Sequence, residues 1–327
     1  MGIKHLNRFF KENTSNALKV ISIEELSGKK IAVDISIYMY RFLAEGSLIE
    51  NMYMMLSILR HYNVTPIFIF DGKPPKEKKD LLIKRREDKK EAELEYTQKL
   101  DMLNNNYAMC DIEKKELMTN MDMLKRKFIH ISKNDIENVK GLIRAYGASY
   151  FDAPGEADEL CAMLAVKGKV WACLSEDMDM FVYGCPRVIR YISLLNHSAI
   201  LYDMNVILQT LGITQKEFRE ICVISGTDYN NDTDISHNIF ETMNQFKKYK
   251  EFTTPQSDED FYTWLMNKTN YIEDLKLLQK VININNMFDL SKPDTSQLIE
   301  KITILNGYIQ KDEIKSILKN DGFIFPM

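Results

Sequence analysis

The chain has 327 residues, 45% of them hydrophobic, which suffices for a large core and excludes a disordered polypeptide. Its 43 Lys and Arg against 47 Asp and Glu leave a net charge of −4, so it lacks the basic excess usual in nucleic-acid binders and any cationic field must be local. No apolar run approaches the roughly 18–20 residues that cross a bilayer, and the opening MGIKHLNRFF has neither a signal-peptide core nor the myristoylation pattern, because Leu6 stands where Ser or Thr is needed.

Lys30 to Ser36 (KIAVDIS) predicts a buried strand with Asp34 at its C-terminal end. Ile37 to Tyr62 continues with helical spacing of Met, Leu and Ile. Thr65 to Asp71 (TPIFIFD) is a second buried strand, again ending in an acid, and GKPP at 72–75 stops it. Within 76–127 the chain is highly charged from Lys76 to about Leu103, with helix-favouring composition and little apolar face until about Leu94, and again in a Met-rich segment from Glu113 to Lys127. This stretch is expected to be an exposed helical excursion, broken at Asn104 to Asn106. Asp135 to Tyr146 predicts an amphipathic helix with Ser132 as N-cap.

Ala148 to Asp152 is a third strand. Pro154-Gly155 then opens a helix carrying Glu156 and Asp158. Val170 to Ser175 (VWACLS) is a fourth, with Asp177 and Asp179 just past its end. Arg187 to Ser193 and Ala199 to Asp203 resemble a further strand pair. Two short helices flank Gly212, residues 226–229 form a turn bearing Asp228, and the remainder reads as helix at 235–249, 258–268, 273–282, 296–304 and 311–319. Strands alternating with helices imply an α/β fold with a mostly parallel central sheet flanked by helices, followed by a C-terminal helical lobe. The five cysteines are odd in number and none is spaced as C-x-x-C, which argues against zinc and a disulfide framework and fits a reducing intracellular compartment.

The acids share a location, because ligands of open α/β sheets bind outside the C-terminal strand ends. Crowded carboxylates resist ionisation unless something cationic lies among them. Oxygen donors favour Mg²⁺ or Mn²⁺, and two such ions can clamp the attacking and leaving oxygens of a phosphoryl displacement. Taken singly, a strand-end Asp is more often a turn or cap residue, and EDMD at 176–179 could be an acid-rich helix start. The D-x-D of aspartyl-phosphate phosphatases needs Thr or Val where Phe181 stands. Four separate acidic sites together point to a metal-dependent phosphodiesterase.

Several motifs are similar to those of one family. MGIKHLNRFF, VDIS at 33–36 followed by Tyr40 and Phe42, FDGKPP at 70–75 followed by KRR at 84–86, APGEADELCAML at 153–164, SEDMDMFVYG at 175–184 and GTDY at 226–229 resemble the flap endonuclease family of structure-specific 5′ nucleases, related to the xeroderma group G repair nuclease. The resemblance spans Met1 to about Asp228 and implies a PIN-like nuclease fold with a helical arch at about 76–127. It implies a catalytic unit built of an N-terminal nuclease region at 1–105, an internal nuclease region at 128–228 and a helical lobe at 229–327. Asp34, Asp71, Glu156, Asp158, Asp177, Asp179 and Asp228 would hold two Mg²⁺ ions, with Mn²⁺ able to substitute. Lys78 and Arg85 would contact the scissile phosphate, and Tyr40 would stack on a base of the reacting strand, although core packing is the competing role for Tyr40. Gly2, Lys84, Arg86, Lys89, Lys90, Lys247 and Lys248 would meet nucleic acid.

The implied activity is Mg²⁺-dependent 5′ nuclease or 5′ exonuclease hydrolysis of branched, nicked or 5′-ended DNA in replication, repair or recombination, by a monomer in the nucleus, cytoplasm or a viral replication site. The alternatives are a relaxed-specificity or RNA-cutting relative and a non-catalytic nucleic-acid-binding scaffold. The sequence also departs from the family. The interval from Asp34 to Asp71 is short, the stretch NNDTDISHNIFETMNQF after Asp228 lacks the glycines of the family's helix–two-turn–helix, and the C-terminus carries no sliding-clamp motif.

Overall fold

In the computed structural model, residues 3–105, 111–230, 237–252, 259–290 and 294–324 are described. The N-terminal half begins with α1 (Leu6–Asn13), β1 (Leu18–Ser22), β2 (Lys30–Asp34), α2 (Ile35–Ala44), α3 (Leu48–His61) and β3 (Thr65–Phe70). A short 3₁₀ turn at Lys76–Lys78 leads into α4 (Lys79–Asn105), which α5 (Asp111–Lys127) follows. Next come α6 (Lys133–Ala145), β4 (Ser149–Asp152), α7 (Ala157–Val166), β5 (Ala172–Leu174), the single turn α8 (Asp179–Val182), β6 (Arg187–Ser193) and β7 (Ser198–Asp203). The helices α9 (Met204–Leu211), α10 (Gln215–Ile224), α11 (Ile239–Phe252), α12 (Phe261–Lys268), α13 (Leu275–Met287), α14 (Asp294–Lys301) and α15 (Lys311–Asn320) complete it.

The seven strands form one sheet in the order β1-β7-β6-β5-β2-β3-β4. The strands β4, β3, β2, β5 and β6 run parallel, and at one edge β7 pairs antiparallel with β6 and β1 antiparallel with β7. Side chains alternate across the pleat. Ala32, Ile67, Ile69 and Cys173 face a core shared with α1, α7, α10 and the C-terminal helices. Ile31, Val33, Phe68, Phe70 and Leu174 face a second core closed by α2, α3, α6 and α15. Both faces of the central strands are covered, which is why those strands read as unbroken apolar runs.

Three details differ from the sequence expectation. The helical span 37–62 is two helices, because the chain turns at Glu45-Gly46-Ser47 with Gly46 at φ +74°. The strand β1 lay outside the expected elements; it is an edge strand whose Val20 is 71% exposed, so the buried-run signal is missing. Helix α15 does not stay with the lobe but packs on α6, burying Ile314 and Leu318 in the second core. The Ser132 cap is present as a reciprocal capping box with Asp135.

Candidate metal and nucleic-acid site

The parallel strands deliver their acids to one edge. Asp34 ends the central strand β2 and is therefore enclosed by neighbours on both sides, at 5% exposure. Asp71 follows β3, and its Oδ1 accepts the Ala157 N–H at 2.9 Å, stitching the β3 loop to the start of α7. Gly72 permits this approach: its N–H donates to the Gly155 carbonyl at 2.7 Å, and a Cβ there would lie 1.9 Å from the Ala153 carbonyl oxygen. Glu156 occupies the N-cap position of α7 and Asp158 its first turn. Asp177 and Asp179 follow β5, with the Asp179 N–H donating to Asp177 Oδ1 at 3.0 Å. Asp228 lies in the turn after α10.

Charge links the seven acids into one cluster. Burial, then Asp71 and Asp177, push the Asp34 carboxyl up to about 8, against a hydrogen bond from Ser175. Burial holds Asp158 well above the carboxylate range; Lys78 opposes this, while Glu156, Asp177 and Asp179 add to it. Burial and Asp177 do the same to Asp179, with Asp228 and Glu156 contributing and Lys78 opposing. Asp179 Oδ1 is buried with no hydrogen-bond partner. An oxygen-only, mutually repelling set of this kind, with Asp34, Asp158 and Asp179 buried at its centre, suits a hard divalent cation.

Two cations from the root of the arch already neutralise part of the cluster. Lys78 Nζ reaches both oxygens of Glu156 at 2.8 Å, and its side chain is 8% exposed. Burial alone would lower this ammonium, but Asp158, Tyr229, Glu156 and Asp179 around it hold it well above the usual lysine range. Arg85 Nη2 donates to Asp228 Oδ2 at 2.8 Å. With the acids engaged in this way, no three His, Cys, Asp or Glu side chains among the described residues converge on a single ion position. The donor chemistry fits a metal, and the acids would have to draw together around it.

The remaining expected contacts divide. Tyr40 is 42% exposed, so it is not a core residue, and Lys89 Nζ lies 5.0 Å from its ring centroid. Lys89 also donates to the Ile129 carbonyl at 3.1 Å, tying α4 to the segment after α5. Lys84, Arg86 and Lys90 are exposed on α4, and Lys247 and Lys248 on α11. Gly2 and most of the glycine-free loop after Asp228 lie outside the described residues.

Sequence reasoning passed over four supporting residues. Ser175 donates to Asp34 Oδ2 at 2.9 Å and accepts the Asp177 N–H at 3.1 Å, coupling two strand ends. Arg190 on β6 donates to the Glu176 carbonyl at 2.9 Å and to Met178 Sδ at 2.7 Å, bracing the loop that carries Asp177. Beside it Tyr191 sits at φ +55° in a bulge, and its N–H donates to Glu176 Oε1 at 2.6 Å. Tyr229 donates to Glu156 Oε2 at 2.8 Å. For Ser175 and Tyr229, adjacency to the acids was the available signal; Arg190 had none.

Comparison with known proteins agrees with this geometry. The XPG N-terminal domain model matches residues 1–92 and the XPG I-region model matches 147–228. Flap endonuclease 1 of Cryptosporidium parvum is 30% identical over 328 residues, covering 84% of this chain and 63% of its own length. Flap endonuclease 1 of Methanocaldococcus jannaschii is 32% identical over 228 residues, covering 64% of this chain and 66% of its own. The chain thus spans less than two thirds of these relatives. The catalytic core of Rad2 in complex with DNA substrate shares the fold at a TM-score of 0.66 and 20% identity, over 98% of this chain and 96% of that one. Human GEN1 in complex with Holliday junction DNA does so at 0.60 and 17%, over 98% and 73%. With both XPG regions matched and their acids gathered at one sheet edge, the chain belongs to the XPG and flap endonuclease family.

Proposed function

We propose that this protein is a divalent-metal-dependent, structure-specific 5′ nuclease that hydrolyses phosphodiesters in branched or 5′-ended DNA. One observation carries the reading: seven carboxylates form one electrostatic cluster at the C-terminal sheet edge, with two arch-root cations held against them. Asp34, Asp71, Glu156, Asp158, Asp177, Asp179 and Asp228 would hold two Mg²⁺ ions, or Mn²⁺ in their place. Bound there, such ions supply Lewis-acid charge and a water of lowered pKa.

The chain's own residues do the rest. Lys78 and Arg85 give up Glu156 and Asp228 to face the scissile phosphate, where fixed cations stabilise charge that develops in the transition state. The half-exposed ring of Tyr40 offers a stacking surface, and the pKa of its hydroxyl is raised by partial burial and by Asp71 against an opposing pull from Arg85. Exposed Lys84, Arg86 and Lys90 supply the local attraction for a phosphate backbone that a net charge of −4 conceals. Support for DNA as the substrate comes from the relatives named flap endonuclease and from the DNA-bound structures that share the fold.

The test is cleavage by purified protein with Mg²⁺ of matched 5′-flap DNA, blunt duplex, bubble and single-stranded RNA. The expected result is metal-dependent cutting of the flap. Cutting of RNA alone would favour a ribonuclease, and no cutting of any substrate would leave a binding scaffold.

A further inference from the structure

We infer that Tyr229 is a positioning residue through which the arch root and the carboxylate edge act together, an inference that rests on the nuclease reading above. Its hydroxyl donates to Glu156 Oε2 at 2.8 Å, and its ring centroid lies 4.6 Å from Lys78 Nζ. Lys78 in turn straddles both oxygens of that same Glu156 at 2.8 Å. One side chain thereby serves two opposite charges, the aromatic face holding an ammonium and the hydroxyl holding a carboxylate.

Tyr229 is itself fixed. Phe288 packs edge-on against it at 5.4 Å and is backed by Tyr183 at 4.8 Å. The Tyr229 N–H donates to Thr227 Oγ1 at 3.3 Å, and Thr227 is anchored through Asn230 to the Val223 carbonyl at the end of α10. The residue also borders a cavity of about 1170 Å³ between the arch root and α13.

The consequence concerns exchange. When Lys78 leaves Glu156 to meet a phosphate, the ring remains a seat for the ammonium inside the site, while the hydroxyl keeps Glu156 from following it. Tyr229 touches neither substrate nor reacting atoms in this role. It fixes where Lys78 and Glu156 stand when they part.

The test compares Tyr229→Phe, which keeps the ring, with Tyr229→Leu, which loses both contacts, in the parent and in Lys78→Met. Single-turnover rate, DNA affinity, thermal midpoint and calorimetric Mn²⁺ affinity are read for each. Tyr229→Phe is expected to lower both the rate and Mn²⁺ affinity by about 10-fold with DNA affinity unchanged, and to lower the midpoint only as far as loss of the second hydroxyl contact, to Tyr183, accounts for. Tyr229→Leu is expected to lower the rate by about a further 10-fold, and that second step should shrink to under about 2-fold in Lys78→Met.

Parental rate and Mn²⁺ affinity in Tyr229→Phe would overturn the role of the hydroxyl. A Phe-to-Leu step of the same size with and without Lys78 would overturn the role of the ring. A parent protein that binds Mn²⁺ but cleaves nothing would remove the nuclease reading instead, and calorimetry would then decide the hydroxyl role of Tyr229 alone.

Discussion

Lys78 and Arg85 come from the same cationic run as Lys84, Arg86 and Lys90, yet they end in opposite environments. The first two sit at the root of the arch, each 2.8 Å from an acid of the sheet edge. The other three face solvent along α4. Composition does not separate them; distance from buried acids does. A lysine drawn into a site of raised carboxyl pKa is held by several charges at once, whereas one on an open helix contributes only a screened field. Chemistry is therefore expected to concentrate in the root and attraction in the shaft.

Substitutions can break or sharpen that contrast. Asp179→Ala removes the unpartnered buried oxygen and, on the proposed reading in which this acid would hold metal rather than contact phosphate, is expected to lower single-turnover cleavage by about 10³-fold or more while DNA affinity stays within a few-fold. Wild-type cleavage by this variant would dismantle the assignment. Lys78→Ala and Arg85→Ala should each slow the same step by about 10²-fold, and an unchanged rate would return the root cations to the status of simple ion pairs.

Tyr40→Ala should cost about 10-fold in a flap-cleavage assay, through lost base stacking rather than lost stability, and a large fall in thermal midpoint would show a packing role instead. Lys84→Ala, Arg86→Ala and Lys90→Ala should each weaken DNA binding by only about two- to threefold and reduce the salt dependence of affinity by about one unit of slope. A loss comparable to that of Lys78→Ala would erase the distinction between root and shaft.

Much of the sheet was legible because its central strands are buried on both faces and so carry unbroken apolar runs. Asp34, Asp71, Asp177 and Asp179 were legible for a related reason, since they end or closely follow such runs and the parallel order places those ends together, whereas Glu156 and Asp158 at the start of α7 and Asp228 on the turn after α10 were found through the motifs around them. Edge strand β1 was not, because its exposed Lys19 and Val20 obscure any pattern of burial. Nor could pattern alone reveal Arg190, whose partners Asn7, Glu176 and Met178 come from distant or looped parts of the chain. Helix α15 shows the same limit. Its amphipathic spacing announces a helix, but only packing decides which side of the sheet receives Ile314 and Leu318.

That placement gives the C-terminal chain a mechanical role. Ile302 and Ile304 belong to one core, Ile314 and Leu318 to the other, and the intervening strand of polypeptide is pinned where it passes the sheet. There the Gly307 N–H donates to the Gly147 carbonyl at 2.7 Å, Arg60 holds the Gly307 carbonyl at 2.6 Å, and a Cβ on Gly147 would lie 2.6 Å from the Gly307 backbone. The polypeptide is in effect a buckled belt that begins in the lobe and fastens behind the sheet. Swinging the lobe away from the carboxylate edge would first require undoing the buckle.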